Sequence, residues 1–293
     1  MRRVQRADWL IVDDPRLIGI ATRRTSGRLM YRATDLYAEM AHDPSIIDAE
    51  RSLCRRADIL VATSDVVAEH LKRISGRDVL VMKNGVDFEM FSPTPVLQPL
   101  DIDVPGTKET RAVYVGSFDR RFGLEALRNA ATALRDKQFI LIGPGSAAAS
   151  MKLECGNVTA LGAVAYSDLP KIFWQCAVGL LPLSNDAANA GRSPMKLYEY
   201  AAAGLTVAAT ATKELRGRDL ATLSLAEIDQ DFGAAVQRAF IQAGDKTLLE
   251  SGRLAAAREG WSSKAQQMLE LLAASGPSNQ AGRMASTLVP SSR

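Results

Sequence analysis

Short apolar runs alternate with amphipathic segments along the first part of the chain. Each run is followed by polar or turn-forming residues, a pattern that predicts β-strands. The predicted strands are residues 9–12, 29–31, 59–62 and 79–82. Between them, residues 45–57 and 64–74 carry apolar side chains at helical spacing, and Ser64 is a suitable N-cap for the second helix. Because parallel strands need a crossover of this length, the alternation predicts parallel β-α-β units.

The same alternation resumes after a segment that is rich in proline. Its prolines, which interrupt any periodicity and are typical of a linker, are Pro93, Pro95, Pro99 and Pro105. Further strands are predicted at residues 112–115, 139–142, 158–161, 178–181 and 205–209. Further helices are predicted at residues 124–134, 168–176, 194–203, 225–243 and 261–274. This order predicts a Rossmann-like second unit and an α/β fold for the whole chain.

These elements divide the chain into two domains with connecting segments. We predict an N-terminal Rossmann-like domain over residues 1–92 and a C-terminal one over residues 110–260. Residues 93–109 form the linker, and residues 261–274 form a closing helix. Residues 275–293 are rich in Ser, Pro and Gly, which predicts a disordered tail.

The composition excludes several classes of protein. With 47% hydrophobic and 24% charged residues, the chain is typical of a globular protein and not of a disordered one. The formal net charge of +3 is too small for a dedicated nucleic-acid binder. The 3 cysteines are scattered and odd in number, which favours neither a disulfide framework nor a metal site and indicates a reducing compartment.

Neither a targeting segment nor a membrane-spanning segment is predicted. The longest weakly polar run, residues 201–211, is shorter than the ~20 residues that a spanning helix needs. We therefore expect a cytoplasmic protein with at most peripheral contact with a membrane. His42 and His70 are expected at the surface and belong to no metal-ligand cluster, so no metal site is predicted.

The most informative segment begins at Gly191 and ends at Gly204. Ser193 as N-cap and Pro194 at the first helical position predict where a helix starts, and Gly204 predicts where it stops. The helix N-terminus would carry free backbone N–H groups and a partial positive charge, which suit an anion.

Two charged residues lie on this predicted helix. Lys196 in the first turn would add a full positive charge beside a phosphate, and Glu199 on the same face could accept hydrogen bonds from a ribose diol. The alternative is an exposed ion pair between the two side chains on an ordinary helix. The two residues by themselves leave both interpretations open.

Several motifs, in the same order, resemble those of GT-B glycosyltransferases. The run P-M-K-L-Y-E-Y-A-A-A-G-L-T-V at residues 194–207 resembles their donor-site segment. The runs K-N-G-V-D at residues 83–87 and F-S-P at 91–93 resemble the passage that joins their two domains. V-Y-V-G-S-F at residues 113–118 resembles the first strand and glycine turn of the donor domain, and the segment from Trp261 resembles the closing segment.

Within this fold, two groups of enzymes are the most similar. Y-R-A-T-D at residues 31–35 and the pair Met195-Lys196 are similar to GumK-like, xanthan-type glucuronosyltransferases. In the retaining family-4 enzymes a first glutamate stands eight positions before the second, and here that position is Gly191. The departure favours the GumK-like group, in which a carboxylate of the N-terminal domain acts as the base.

The resemblance implies a nucleotide-sugar site, with UDP as the nucleotide, in the C-terminal domain. The implied donor-binding residues are Gly116, Arg121, Ser193, Met195, Lys196 and Glu199. Met195 would lie near the base, Lys196 on the diphosphate, and Glu199 on the ribose or a neighbouring part of the donor. Gly116 would let the backbone approach the donor because it carries no side chain. The UDP-sugar is a substrate, and no cofactor is implied.

Arg120 and Arg121, in the loop after that glycine, are candidate phosphate contacts. A solvated basic turn is the alternative for both.

Asp35 is the candidate catalytic base. An inverting transfer needs a carboxylate that takes the proton of the acceptor hydroxyl, and Asp35 follows a predicted strand at the edge of the domain. The alternative role for Asp35 is to cap a helix that begins at Leu36. Asp13, Asp14 and Asp43 are weaker candidates for the base.

The resemblance thus implies a hexosyltransferase of exopolysaccharide synthesis. It would move a sugar, with glucuronate as the implied one, from a UDP donor to a lipid-linked or polysaccharide acceptor at the cytoplasmic face of the inner membrane. The strands that normally precede position 9 in such enzymes have no counterpart, so the N-terminal domain is expected to be incomplete. A non-catalytic nucleotide-sugar-binding remnant is therefore the alternative. A dinucleotide oxidoreductase is disfavoured because the turn from Gly143 to Gly145 lacks a third glycine.

Overall fold

The fold was analysed in a computed structural model that describes residues 7–23, 27–41, 43–93, 102–228 and 231–275. Residues 94–101 of the predicted linker, the tail from residue 276 onward, and His42 lie outside the described residues. The described part contains two parallel β-sheets, one in each half of the chain.

The N-terminal half contains a four-stranded parallel sheet in the order β1-β2-β3-β4. Its strands are β1 (Trp9–Val12), β2 (Arg28–Ala33), β3 (Ile59–Ala62) and β4 (Leu80–Val81). Its helices are α1 (Ile18–Thr22), α2 (Tyr37–Ala41), α3 (Ser45–Arg56), α4 (Asp65–Ser75) and α5 (Phe88–Phe91), and Pro15–Leu17 is a 3-10 turn. All four predicted strands are therefore confirmed, although β4 is shorter than the predicted 79–82.

Helix α4 shows how the local sequence sets the bounds of an element. The side chain of Ser64 accepts a hydrogen bond from the N–H of Val67, as predicted for an N-cap. At the other end Gly76 adopts φ of 68°, a left-handed conformation that glycine tolerates without strain. The first turn of α4 is thereby held beside the carboxyl end of β3, where the two halves of the chain meet.

The C-terminal half contains a six-stranded parallel sheet in the order β10-β9-β8-β5-β6-β7. Its strands are β5 (Arg111–Val115), β6 (Gln138–Ile142), β7 (Val158–Gly162), β8 (Val178–Leu181), β9 (Thr206–Thr210) and β10 (Leu223–Ala226). Its helices are α6 (Leu124–Ala133), α7 (Ser146–Leu153), α8 (Leu169–Phe173), α9 (Met195–Ala202), α10 (Lys213–Arg216), α11 (Phe232–Gln242), α12 (Lys246–Arg258) and α13 (Trp261–Ala274). Short 3-10 turns occur at Lys108–Thr110, Tyr166–Asp168 and Ala187–Asn189.

The prediction of one helix over residues 225–243 is wrong. Leu223–Ala226 form the edge strand β10, in which buried and half-buried residues alternate with the period of two that is typical of a strand. The helix begins only at Phe232, because the side chain of Asp231 caps it by accepting a hydrogen bond from the N–H of Gly233.

The apolar core of the C-terminal half extends into the N-terminal half. Val86 and Phe91 belong to the same buried cluster as Leu197 and Tyr200 of α9. The indole N–H of Trp174 also donates a hydrogen bond of 3.0 Å to the carbonyl of Phe91. The segment that leaves the first sheet is therefore packed against the helix that carries the candidate donor site.

The end of the described chain returns to the N-terminal half. The N–H of Trp261 donates to the carbonyl of Val86, and the N–H of Val86 donates to the carbonyl of Glu259, each over 3.0 Å. A Cβ atom on Gly85 would lie 2.8 Å from the Glu259 carbonyl oxygen, so this close approach requires glycine. The predicted closing helix is present as α13. The residue boundaries of the predicted domains stay predictions.

None of the helices in the described ranges is long and apolar enough to cross a membrane.

Candidate functional site

Helix α9 begins at Met195, and the cap that the sequence predicted for it is wrong. Pro194 occupies the N-cap position and makes no side-chain capping bond. The hydroxyl of Ser193 instead accepts a hydrogen bond of 2.8 Å from the guanidinium of Arg218. Ser193 is buried, so its side chain holds the loop before α9 in place. Its predicted contact with a donor stays a prediction.

Lys196 and Glu199 lie together in the first turns of α9. The Nζ atom of Lys196 is 2.7 Å from Oε2 of Glu199, so the ion pair that the sequence left as an alternative is present. It is not the exposed pair expected there, because the side chain of Glu199 is only 1% exposed and that of Lys196 22%. A buried carboxylate needs such a partner, since an unpaired one would be strongly destabilising.

Tyr166 completes the hydrogen bonding of this carboxylate. Its hydroxyl donates a bond of 3.0 Å to Oε1 of Glu199, and its ring lies 5.5 Å from the Nζ atom of Lys196. Burial and the charge of Glu199 raise the pKa of Tyr166. Sequence reasoning missed Tyr166, because it belongs to a 3-10 turn about thirty positions before α9 and no local pattern links the two.

Met195 precedes this pair and is 42% exposed. An exposed thioether next to a charged pair is compatible with the predicted contact with a base, since Met adapts to flat apolar surfaces. That contact stays a prediction.

Two glycine turns meet beside the carboxyl ends of β5 and β6. A Cβ atom on Gly143, which has φ of 135°, would lie 2.1 Å from the carbonyl oxygen of Gly116. A Cβ on Gly116 would in turn lie 2.7 Å from the hydroxyl of Tyr114. That hydroxyl donates to the carbonyl of Ser117. A side chain at position 116 would therefore displace the hydroxyl of Tyr114, and the predicted approach of Gly116 to a donor stays a prediction.

Arg120 and Arg121 follow the glycine turn, and both contact the N-terminal half. Arg120 donates hydrogen bonds of 2.6 and 3.1 Å to the carbonyls of Glu39 and Met40 at the end of α2, and it pairs with Asp186.

The side chain of Arg121 is held by the carboxylate of Asp119, with NH2 2.6 Å from Oδ2. Its NH1 also lies 3.2 Å from the sulfur of Met40. The hydrogen bonds from Arg121 lower the pKa of Asp119 to about 2. A solvated basic turn is therefore not what these residues form; they join the two halves. The phosphate contact predicted for Arg121 stays a prediction.

A cavity of about 590 Å³ adjoins this loop on the side of α7. It is lined by residues 117–120, by Gly145 and by Lys152, among others, and neither Lys196 nor Glu199 reaches it. The cavity is thus separate from the ion pair at the start of α9.

Asp35 lies between β2 and α2, at the face where the two halves meet. Its carboxylate accepts a hydrogen bond of 3.4 Å from the hydroxyl of Thr34. Burial raises the pKa of Asp35, and the positive charges of Arg192 and Arg121 partly oppose this. Helix α2 begins at Tyr37, and no N–H group of it donates to Asp35 among the described residues. The capping alternative for Asp35 is therefore not supported.

Two of the three rival carboxylates are occupied in local structure. Asp14 accepts hydrogen bonds from the backbone and side chain of Arg16. Asp43 accepts a bond of 2.9 Å from the N–H of Ser45. The carboxylate of Asp35, in contrast, faces the C-terminal half, and the rise of its pKa that burial causes is partly opposed by the positive charges of Arg192 and Arg121 there.

His70 is not the surface residue that the sequence suggested. Its Nε2 atom lies 2.7 Å from the carboxylate of Glu50, which is fully buried and also accepts a bond from the hydroxyl of Tyr31. This cluster lies inside the N-terminal half and stabilises the packing of α3 and α4.

A buried ionic cluster joins the two halves below α9. The guanidinium of Arg218 lies 2.6 Å from the carboxylate of Glu214, and both side chains are at most 2% exposed. The same carboxylate accepts a hydrogen bond of 3.1 Å from the N–H of Asp65, at the start of α4. Asn84 adds a bond of 3.0 Å to the carbonyl of Ser193. Glu214 and Arg218 are only four positions apart, but the sequence pattern does not identify the cluster, because its other members come from distant parts of the chain.

Comparisons with known proteins agree with this architecture. Residues 109–240 match the family described as glycosyl transferases group 1. The putative teichuronic acid biosynthesis glycosyltransferase TuaH of Bacillus subtilis is 25% identical over 235 residues, which are 77% of this chain and 59% of that protein. The chain therefore spans about three fifths of the length of this curated relative.

Solved structures share the fold. Sucrose-phosphate synthase from Thermosynechococcus elongatus superposes with a TM-score of 0.73 at 18% identity, over 90% of this chain and 72% of that one. HepE from Anabaena, solved in complex with UDP, superposes with a TM-score of 0.72 at 16% identity, over 93% of this chain and 80% of that one. The predicted α/β fold with two Rossmann-like units of the GT-B type is thereby confirmed.

Proposed function

We propose that this protein is a glycosyltransferase that uses a nucleotide sugar, with UDP as the nucleotide. The observation that carries the proposal is the buried pair of Lys196 and Glu199 at the start of α9, within the region that matches the glycosyl transferases. The complex of HepE with UDP-glucose supports UDP as the nucleotide, and the name of TuaH supports a role in polysaccharide synthesis.

The first turn of α9 supplies the charge that a diphosphate needs. One of the three N–H donors of Lys196 is directed at Glu199, which leaves the others for phosphate oxygens. The backbone N–H groups of the first turn and the helix dipole add to this positive potential. The leaving UDP would thus be stabilised as the bond between the sugar and the phosphate breaks.

Glu199 has a second role in this proposal. Both of its oxygens accept hydrogen bonds, from Tyr166 and from Lys196. A ribose hydroxyl would reach the carboxylate when one of these partners turns toward the nucleotide. Lys196 is the partner that gains from such a turn, because it exchanges a carboxylate for a phosphate oxygen.

Asp35 is proposed as the base of an inverting transfer. Its carboxylate would take the proton of the acceptor hydroxyl while that oxygen attacks the anomeric carbon of the donor. Burial, which raises the pKa of Asp35, makes the carboxylate a stronger base than an exposed aspartate.

The acceptor in this proposal is a lipid-linked or polysaccharide saccharide, and the reaction takes place at the cytoplasmic face of the inner membrane. The transferred sugar implied by the resemblance to GumK-like enzymes is glucuronate. A nucleotide-sugar-binding protein without transferase activity is the second candidate, because the region that matches the glycosyl transferases, residues 109–240, contains the proposed donor site but not Asp35.

A calorimetric titration with UDP tests the donor site. We expect saturable binding by the wild type and a loss of about tenfold or more in affinity for Lys196→Ala. Lys137→Ala is the matched control, since Lys137 also pairs with a carboxylate but lies at the amino end of β6. Absence of UDP binding by the wild type, or unchanged binding by Lys196→Ala, would refute the donor site. Sugar transfer that Asp35→Asn abolishes would exclude the non-catalytic alternative.

A further inference from the structure

Arg192 differs from three other arginines at the junction of the two halves. Arg120 pairs with Asp186, Arg121 with Asp119, and Arg218 with Glu214. Arg192 is half-buried, yet among the described ion pairs no carboxylate lies within 4.0 Å of its guanidinium. Side-chain hydrogen bonds to it are also absent from the described part of the chain.

The surroundings of this guanidinium are unfavourable for a positive charge. Burial lowers the pKa of Arg192, and the nearby positive charge of Arg121 lowers it further. Tyr114, Asp35 and Asp119 act in the opposite direction, but Asp119 is already paired with Arg121. A buried cation is unfavourable unless an anion lies beside it, so an anionic ligand would stabilise the guanidinium of Arg192.

The backbone around Arg192 is fixed on both sides. Gly191 accepts a hydrogen bond of 2.8 Å from the hydroxyl of Ser64, and Ser193 is held by Asn84 and Arg218. Gly191 is also packed closely against the N-terminal half, because a Cβ on it would lie only 3.0 Å from the side chains of Leu36 and Val67. The guanidinium is therefore presented from a rigid loop, which reduces the entropy lost when it binds a ligand.

Its location favours the reacting sugars over the nucleotide. Arg192 follows Gly191, on which a Cβ would lie 3.0 Å from the side chain of Leu36, the residue after the proposed base Asp35. The charge of Arg192 also acts on the carboxylate of Asp35, whereas the diphosphate is assigned to Lys196 and the N-terminus of α9. The base must contact the acceptor hydroxyl, so a cation beside it lies within reach of groups on the donor sugar or the acceptor.

We propose that Arg192 is a specificity-determining residue that binds an anionic group of a substrate other than the donor diphosphate. The group is a carboxylate on the transferred sugar or a phosphate on the acceptor, since a guanidinium binds both by charge-assisted hydrogen bonds. The inference rests on the proposed function and adds the chemical class of the substrate.

Calorimetry with the full chain tests the inference. UDP, UDP-glucose and UDP-glucuronate are titrated into the wild type, into Arg192→Gln and into Arg55→Gln. Arg55 is an exposed arginine of α3 and serves as the matched control. Inorganic pyrophosphate is titrated separately into protein saturated with UDP, as a probe for an acceptor phosphate.

Two outcomes support the inference. In the first, the wild type binds UDP-glucuronate about tenfold more tightly than UDP-glucose and Arg192→Gln removes the difference, which assigns the anion to the sugar. In the second, the two donors bind equally, but pyrophosphate binds the UDP-saturated wild type and not Arg192→Gln, which assigns it to the acceptor. In both, Arg55→Gln behaves as the wild type.

Other outcomes overturn it. If Arg192→Gln weakens UDP itself by the same factor as UDP-glucuronate, the residue serves the diphosphate. If Arg192→Gln changes no titration, the residue has no ligand of this kind. Both results leave UDP binding by the wild type intact, whereas the failure of the proposed function would show as absence of that binding.

Discussion

The hydroxyl of Ser64 donates a hydrogen bond of 2.8 Å to the carbonyl of Gly191, which joins the start of α4 to the loop before α9. The same hydroxyl accepts a bond of 3.1 Å from the N–H of Val67, so one side chain both caps a helix and connects the two halves. The candidate donor helix is therefore positioned by the N-terminal half as well as by its own sheet.

A glutamate at position 191, where the retaining family-4 enzymes have one, is expected to destabilise this protein. Its Cβ would lie 3.0 Å from Leu36 and Val67, and its carboxylate would enter a buried, apolar contact between the halves. We expect Gly191→Glu to lower the free energy of unfolding by about 2 kcal/mol or more, measured by urea denaturation. Gly156→Glu is the control, because nothing lies within 4 Å of a Cβ there. Equal stability of the two variants would contradict the prediction.

Removing the hydroxyl of Tyr166 is expected to weaken the support of Glu199. Tyr166→Phe deletes the bond of 3.0 Å to the buried carboxylate but keeps the ring beside Lys196. We expect a loss of about 1–3 kcal/mol in the free energy of unfolding, because the carboxylate loses a donor and cannot recover it from water. In a UDP titration the variant should lose less affinity than Lys196→Ala. A variant as stable as the wild type would show that Tyr166 does not support Glu199.

The replacement Asp35→Asn should change activity and stability in opposite directions. Burial raises the pKa of Asp35, so the folded protein holds this proton more tightly than the unfolded chain does. The ionised carboxylate therefore costs stability as the pH rises through that raised pKa, and Asp35→Asn should be more stable than the wild type at pH 7. The gain should vanish at a pH below the value of 3.8 for an unperturbed aspartate.

Thermal unfolding of both proteins across this pH range measures the effect, and Asp43→Asn is the control of opposite sign. Hydrogen bonds from Ser45 lower the pKa of Asp43, so the wild type should be the more stable protein at neutral pH in that comparison. In a transfer assay Asp35→Asn should lose about 10²–10⁴ in rate while UDP binding is kept. A pH-independent difference in stability would contradict the assignment of a raised pKa.

Breaking the pair of Arg218 and Glu214 should be far more damaging than replacing both. Arg218→Met removes the guanidinium that lies 2.6 Å from the buried carboxylate of Glu214 and leaves it only the more distant Lys83, at 3.9 Å. We therefore expect the free energy of unfolding, measured by urea denaturation, to fall by about 3–5 kcal/mol. The double variant Arg218→Met/Glu214→Leu should recover more than half of that loss, because no unpaired charge remains. If the double variant loses as much as the sum of the single ones, the two residues act independently.

The elements of this fold could largely be predicted from local pattern. Ser64 and the apolar run Ile59–Ala62 carry their signals within a few residues, and both predictions are confirmed. The prediction for Ser193 was wrong because a serine before a proline is typical of a helix N-cap. In the structure its hydroxyl instead accepts a hydrogen bond from Arg218, which is distant along the chain. Leu223–Ala226 were missed because so short an apolar run does not distinguish a strand from a helix.

The candidate site shows the same division. Lys196 and Glu199 were identified because their spacing of three is a property of one helix. Tyr166 and Arg192 could not be assigned, since what matters for each is a neighbour from another element. Burial decides the character of such residues, and burial is set by tertiary packing that a single sequence does not display.

The bridge between Val86 and Gly260 has a mechanical consequence. The polypeptide first joins the core of the C-terminal half at Val86 and Phe91, and it returns to Val86 through the backbone bonds of Glu259 and Trp261. Because both connections lie beside Val86, the two halves cannot rotate freely about a single flexible connection. We therefore expect any movement of the two halves away from each other to be a bend about an axis through the bridge, which would separate Arg192 from Asp35 while the backbone pairing at Val86 persists.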